Sequence, residues 1–211
     1  DRPKFARCLL DEALRTGIEY RDLTQATDLL SEGNSVTGIV CQSQQGGQIQ
    51  SQRITSKLVI DASGMSTKLR RNLGIPSFIE KEIDRDDVEP TIRLNARLAD
   101  TSQVNPSRCE IILDAEKAPG GYLWIFPKSS GKVNIGLGVQ QKRTSKSLAT
   151  LLDQWIDETA LFRGMTTITD DGNLPGAWPV SVRHQNDSLV ANGFMLVGDS
   201  GWFPNPLSAG G

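Results

Sequence analysis

The chain has 211 residues, 37% of them hydrophobic, with 23 Lys and Arg against 25 Asp and Glu and a formal net charge of -2. This is an ordinary globular composition, long enough for one large domain or two small ones, and a near-neutral balance without a basic block argues against nucleic acid as a partner. The longest uncharged apolar stretches, such as residues 123–126, are far too short to span a bilayer. Three scattered cysteines, Cys8, Cys41 and Cys109, beside the single His184 support neither a disulfide framework nor a zinc site. A reducing, cytoplasmic setting with the cysteines as packing residues is the simpler expectation. The chain begins at Asp1 without a charged-then-apolar leader and is expected to be an internal piece of a longer protein.

In chain order, Phe5, Cys8, Leu9, Ala13 and Leu14 recur near helical spacing, so residues 5–16 are expected to form an amphipathic helix closed by Gly17. Residues 18–26, 35–42 and 48–54 then read as three strands separated by Gly33-Asn34 and Gly46-Gly47, an antiparallel meander with a solvated, glutamine-rich edge. Residues 57–62 give a compact strand that ends in Ser63-Gly64 and leads into a helix over 67–73. The acidic stretch 80–89, with Pro90 behind it, predicts a crossing between lobes. Four further strands are expected at 91–98, 109–113, 121–127 and 133–139, as a second antiparallel sheet. They are followed by a helix over 148–156 and a buried strand over 194–197 that feeds Gly198-Asp199.

Chemistry concentrates in two places. The segment FMLVGDSGWFPNPLSAGG, residues 194–211, delivers an aspartate to the carboxyl end of a buried strand and follows it with a glycine- and proline-rich turn. Ligands sit at such strand ends. Asp199 there can accept hydrogen bonds from hydroxyls, and backbone amides after Pro206, where a helix would start, favour an electron-rich edge. In the segment APGGYLWIFPKSSGKVNIGLG, residues 118–138, alternation puts Tyr122, Trp124 and Phe126 on one face of a strand. The Gly-Asp-Ser-Gly of residues 198–201 is also the string found around the nucleophile of trypsin-like proteases, but a triad needs a base and an orienting acid, and His184 lies in a polar run among Arg183, Gln185, Asn186 and Asp187.

The first segment resembles the second FAD motif of para-hydroxybenzoate-hydroxylase-type flavoproteins through Gly198, Asp199, Pro206, Gly210 and Gly211, and within that superfamily it is most similar to the geranylgeranyl reductase family. Residues 118–138 resemble the Tyr-x-Trp-x-Phe-Pro segment of those reductases and the Asn-x-Gly-x-Gly strand after it. Asp61, Ala62, Ser63, Gly64 and Arg70 resemble the family's Asp-Gly motif and the basic helix behind it, although Ser63 stands where an aspartate is common. The helix before the meander resembles the one in which a family arginine contacts FAD, here Arg7.

The resemblance implies an α/β fold with an α+β substrate lobe. It consists of a partial FAD/NAD(P)-binding fold (residues 1–86, resumed at 188–211) and an antiparallel β-sheet substrate-binding domain (residues 87–187). It implies FAD held by Arg7, Gly64, Gly198, Asp199, Pro206, Gly210 and Gly211, with NAD(P)H or ferredoxin as electron donor. Tyr122, Trp124, Phe126 and Pro127 would form an apolar wall for a prenyl lipid or other hydrophobic substrate, and peripheral membrane contact is expected. The implied activity is reduction of isoprenoid double bonds by hydride from reduced flavin. The alternatives are a flavin monooxygenase or halogenase of the same fold, or a noncatalytic lipid-binding remnant. No G-x-G-x-x-G occurs in the 211 residues, so the pyrophosphate half of FAD has no visible cradle and the chain alone is expected to be inactive.

Overall fold

The computed structural model describes residues 2–45, 47–66, 68–169, 176–183 and 185–205. The chain divides into two compact units, residues 1–82 with 185–201, and residues 83–184 with 202–211.

The first unit opens with α1 (Arg2–Arg15). It ends where glycine was expected to end it: the Gly17 N–H donates to the Leu14 carbonyl at 3.1 Å, at a φ of +88°. Phe5, Leu9 and Leu14 on this helix are exposed, and so is Cys8, so the helix does not present the buried stripe its period suggests. Strands β1 (Thr24–Glu32), β2 (Ser35–Gln45) and β3 (Gln48–Thr55) form the meander in the order β1-β2-β3. The first strand lies six residues later than residues 18–26 would place it. The two-residue turn at Gly33-Asn34 sets Glu32 opposite Ser35, which extends pairing back only to Thr24, while exposed Leu23 takes a left-handed φ of +46°. β3 is almost wholly solvated, as its glutamines predict.

After the meander come β4 (Val59–Asp61) and the single-turn α2 (Lys68–Arg71), shorter than the helix expected over 67–73. The core of this unit gathers Val36, Val59, Leu69, Leu73, Ile75, Ile79, Phe194 and Leu196.

The second unit is built on β5 (Val88–Arg97), β6 (Glu110–Ile112), β7 (Tyr122–Pro127) and β8 (Lys132–Gly138), all antiparallel neighbours. Helix α3 (Leu148–Glu158) starts at Ser147, whose side chain accepts from the Thr150 N–H. It packs Leu151, Leu152 and Trp155 onto a core with Leu94, Ala96, Ile125, Val133, Ile135 and Leu137. Two further strands were not visible in the sequence: β9 (Thr166–Ile168) and β10 (Gly176–Ser181), both antiparallel to β5. Pro179 argues against a strand because it has no N–H to give, and the structure tolerates it at the sheet edge, directly opposite Pro90. For the same reason β5 begins at Val88, taking Pro90 into the sheet rather than leaving it in the crossing.

The chain then returns to the first unit as β11 (Val190–Ala191), a strand too short to be read from sequence, and β12 (Phe194–Leu196), which pairs parallel with β4. Of the cysteines, only Cys41 is buried; Cys8 and Cys109 are exposed and serve no packing role.

Gly193 stitches the small parallel sheet to the meander. Asn192 accepts from the Val36 N–H and Gly193 from the Val59 N–H, both at 2.9 Å, while Gly193 sits at φ +74° with the Val36 carbonyl where a Cβ would be. Gly193→Ala is therefore expected to cost about 1–3 kcal/mol in urea denaturation; an unchanged midpoint would show that this junction is not constrained.

Candidate flavin turn and substrate sheet

In the first unit β4 and β12 run side by side and open at their carboxyl ends, with Leu196 paired to Asp61. The turn after β12 is a short 3-10 helix, Gly198–Gly201, held against β4 from three directions. The Val197 N–H donates to the Asp61 carbonyl at 3.0 Å. The Ser200 hydroxyl donates to that same carbonyl and lies 2.7 Å from the Val197 carbonyl. The Arg70 guanidinium, 2% exposed, donates to the Ser200 carbonyl at 2.6 Å. Ser200 is buried and fully occupied with backbone, so it has no access to a substrate as a nucleophile; His184 lies outside the described residues.

This clasp leaves Gly64, Gly198 and Asp199 on the open side of one strand end. Gly64 and Gly198 take φ of +69° and +61°, and a side chain at either would meet nothing within 4 Å. Asp199 is exposed. Asp61 is buried, one carboxylate oxygen accepting from the Ser63 N–H at 2.9 Å and the other without a hydrogen-bond partner among the described residues. A buried carboxylate oxygen of that kind calls for a donor. Two accessible backbone glycines, an exposed carboxylate and a donor-seeking buried one suit the hydroxyl-rich ribityl part of FAD. Arg7 lies apart on α1, its guanidinium paired with Asp11 at 2.9 Å. Pro206, Gly210 and Gly211 lie outside the described residues.

In the second unit Tyr122, Trp124 and Phe126 share one face of β7, with ring centroids 6.0 Å apart for the first pair and 6.1 Å for the second, which is stacked. Pro127 follows in the opposite phase and lines a separate cavity of about 240 Å³ with Leu98, Val104, Pro106 and Val133. The Trp124 ring is fixed by a polar chain: its Nε1 donates to Asn134 Oδ1 at 2.8 Å, and Asn134 Nδ2 donates to Asn95 Oδ1 at 2.9 Å, Asn95 being fully buried. Gly136 lies opposite Trp124 on β8, and a Cβ there would collide with the indole and with the Ile92 carbonyl. Gly136, itself buried, thus makes room for the Trp124 indole to lie over β8.

Several of these residues were not found by sequence reasoning: Asn95, and the positioning parts played by Asn134, Gly136, Ser200 and Arg70. The one available signal was the polar Asn95 between apolar Leu94 and Ala96.

Glu89 sits on the same sheet face, near Tyr122. Burial pushes its carboxyl above the usual value, partly offset by a hydrogen bond with Gln140. Burial also raises the Tyr122 phenol, and the Glu89 charge adds to that.

The fold defines a class, that of chains in which a unit of the FAD-binding type is joined to an antiparallel sheet. A family model described as FAD binding domain matches residues 2–104, and one described as geranylgeranyl reductase catalytic domain matches residues 87–169. Over the residues these models match, the chain is similar to the geranylgeranyl reductase family. It is 33% identical over 211 residues, all of its own length and 48% of the relative's, to a digeranylgeranylglycerophospholipid reductase from Methanosarcina acetivorans. Among solved structures, a geranylgeranyl bacteriochlorophyll reductase-like protein from Thermoplasma acidophilum superposes with a TM-score of 0.85 at 25% identity, over 99% of this chain and 49% of that one. A flavin-dependent brominase shares the fold, with a TM-score of 0.71 at 19% identity over 93% of this chain and 48% of its own. The chain spans about half the length of the curated relatives it matches.

Because the folded state holds the Glu89 carboxyl above its ordinary 4.5, the folded state binds the extra proton, and the penalty of ionising Glu89 is present at neutral pH and absent in acid. Glu89→Gln should raise the melting temperature near neutral pH and leave it unchanged below that ordinary value; an equal shift at both would show that ionisation is not involved.

Proposed function

We propose that the chain is part of an FAD-dependent oxidoreductase that reduces double bonds of an isoprenoid lipid. The observation that carries this reading is the Tyr122–Trp124–Phe126 ridge, held by Asn134 and Asn95, within the residues matched to the geranylgeranyl reductase catalytic domain. An aromatic lane along this ridge suits a chain of isoprene units, which offers no polar group to grip and is recognised by shape and burial. The relatives are named for a prenylated glycerophospholipid, which agrees with such a lane.

On this reading Gly64, Gly198 and Asp199 hold the ribityl side of FAD, with Arg7, Pro206, Gly210 and Gly211 completing the cofactor set by family resemblance. Asp199 accepts hydroxyl hydrogens, and the Arg70–Ser200 clasp keeps its turn in place. Reduced FAD supplies hydride when bound; the protein orients the lipid and keeps water from it. The electron donor is NAD(P)H or ferredoxin, and the lipid substrate brings the protein to a membrane surface as a peripheral contact. No helix among the described residues is long and apolar enough to cross a membrane.

Expression of the complete reading frame that encodes this chain should yield a protein with bound flavin absorbing in the visible. Reduced without oxygen, it should add two hydrogens per saturated double bond to a geranylgeranyl lipid, as read by mass spectrometry. A colourless protein that takes up no FAD would defeat the proposal, and product formed only with oxygen would favour the monooxygenase or halogenase chemistry of the fold. Asp199→Ala should weaken flavin retention by about 1.5 to 3 kcal/mol, the worth of a charge-assisted hydrogen bond; full retention would remove Asp199 from the flavin contacts.

A further inference from the structure

The Tyr122 end of the aromatic ridge meets a cluster of polar side chains that the isoprenoid reading leaves unused. Tyr122 lies opposite Gly138, and Gly138 opposite Thr91. One step outward on the same face stand Gly120, Gln140 and Glu89, two residues before Tyr122, two after Gly138 and two before Thr91. Backbone hydrogen bonds carry this alignment past the end of β8: the Val139 N–H donates to the Pro90 carbonyl at 3.3 Å, and the Gln140 N–H to the Pro119 carbonyl at 3.0 Å. Gly138 carries no side chain, which opens the way across β8 for the Tyr122 phenol to sense the Glu89 charge. The Gln140 amide is fixed from behind. Arg143 Nε donates to its Oε1 at 2.6 Å, which turns its N–H groups to the Glu89 carboxylate. On β5 itself Arg93 lies two rows further along the same face, and the β10 residue opposite Glu89 is the uncharged Val180. Glu89 and Tyr122 are both half-buried, so each remains open to a bound molecule.

A carboxylic acid beside a row of aromatic rings is what protonation of an isolated double bond requires. Such a bond has no electron-withdrawing group to accept the electron pair that a hydride brings, so the proton must come first. Protonation leaves positive charge on the branched carbon, and the faces of Trp and Tyr rings attract a cation. Burial favours the uncharged form of Glu89, and an apolar chain laid over it would press the same way. Once the proton has left, the Gln140 amide is in place to hold the carboxylate.

We propose that Glu89 is the acid that protonates an isoprenoid double bond, and that the Tyr122 and Trp124 rings steady the resulting cation until hydride arrives. This rests on the isoprenoid reading above and adds to it the source of the proton. The Glu89 O–H bond breaks, and the π pair of the double bond takes its proton to form C–H at the less substituted carbon. Hydride from reduced flavin, with its electron pair, then forms C–H at the branched carbon. The double bond is reduced by two electrons, the flavin is oxidised by two, and water returns a proton to the Glu89 carboxylate.

In the complete enzyme, Glu89→Gln should slow saturation of a geranylgeranyl lipid about a hundredfold or more, while flavin absorbance and lipid affinity keep their original values. The same change is expected above to raise the melting temperature at neutral pH, so lost turnover is not lost fold. Glu89→Asp should recover part of the rate. With Glu89 in place the rate should fall as pH rises, because only the protonated acid acts; with Glu89→Gln that dependence should vanish. The ¹³C-tyrosine NMR signal of Tyr122, identified by its loss in Tyr122→Phe, should titrate at lower pH in Glu89→Gln, since the neighbouring negative charge is gone. A substrate with trifluoromethyl in place of one branch methyl should keep that double bond while its others are saturated, because fluorine destabilises the cation. Faster saturation of the fluorinated bond, an unchanged rate in Glu89→Gln, a rate loss matched by lost lipid binding, or a Tyr122 titration that does not move overturns the assignment of the acid. An enzyme with Glu89 intact that saturates no isoprenoid double bond counts against the isoprenoid reading itself.

Discussion

The register of β8 between β5 and β7 is the constraint on which the substrate sheet depends. Every residue on its working face, from Tyr122 and Trp124 through Gly136 and Asn134 to Asn95, is placed there by antiparallel pairs that continue without interruption from Thr91↔Gly138 to Arg97↔Lys132. A slip of one residue would turn Val133, Ile135 and Leu137 out of the core and carry the glycines in under α3. Two devices hold the register. On the inner face, the fully buried Ile135 and Leu137 pack into a core completed by α3. On the outer face, the Trp124–Asn134–Asn95 chain closes only when the three strands are aligned, because each amide must meet its neighbour at hydrogen-bond distance.

The first unit solves a different problem, holding a tight turn at the end of a two-strand parallel pair with little sheet around it. β4 and β12 are three residues each, and parallel pairing of that length contributes little by itself. Burying Arg70 to reach the Ser200 carbonyl, and Ser200 to reach the Asp61 carbonyl, locks the turn to the strand it must accompany. A buried cation carries a desolvation cost, and its use here makes sense if the position of the turn, rather than stability alone, is under constraint. Asp199 and Gly198 are then presented by a rigid support.

How much of this could be read in the sequence depends on the range of the interactions. Helix α1, the two meander turns, β6, β7, β8 and α3 follow from local period and turn residues, and the aromatic face follows from alternation alone. β1 was displaced because the apolar residues 18–23 outweighed the turn at Gly33-Asn34, although it is the turn that fixes pairing. β9, β10 and β11 escaped because a strand of two or three residues has no period, and because Pro179 is acceptable only opposite another proline at an edge, which no local pattern records. The positioning contacts were out of reach for the same reason: Arg70 meets a carbonyl 130 residues away in sequence and Asn134 an amide 39 away.

The glycines of β8 also explain how the aromatic ridge is seated. Glycine in a strand interior weakens it through lost side-chain packing and added chain entropy, yet Gly136 cannot gain even a methyl group without striking Trp124 and the Ile92 carbonyl. The centre of the outer face is therefore given to one large ring, Trp124 over Gly136, and to the amides that hold it. The stabilisation must come from the inner face, where Leu123, Val133, Ile135 and Leu137 are at most 1% exposed. One side of the sheet holds the fold through apolar packing, and the other is given to an aromatic ridge positioned by buried amides.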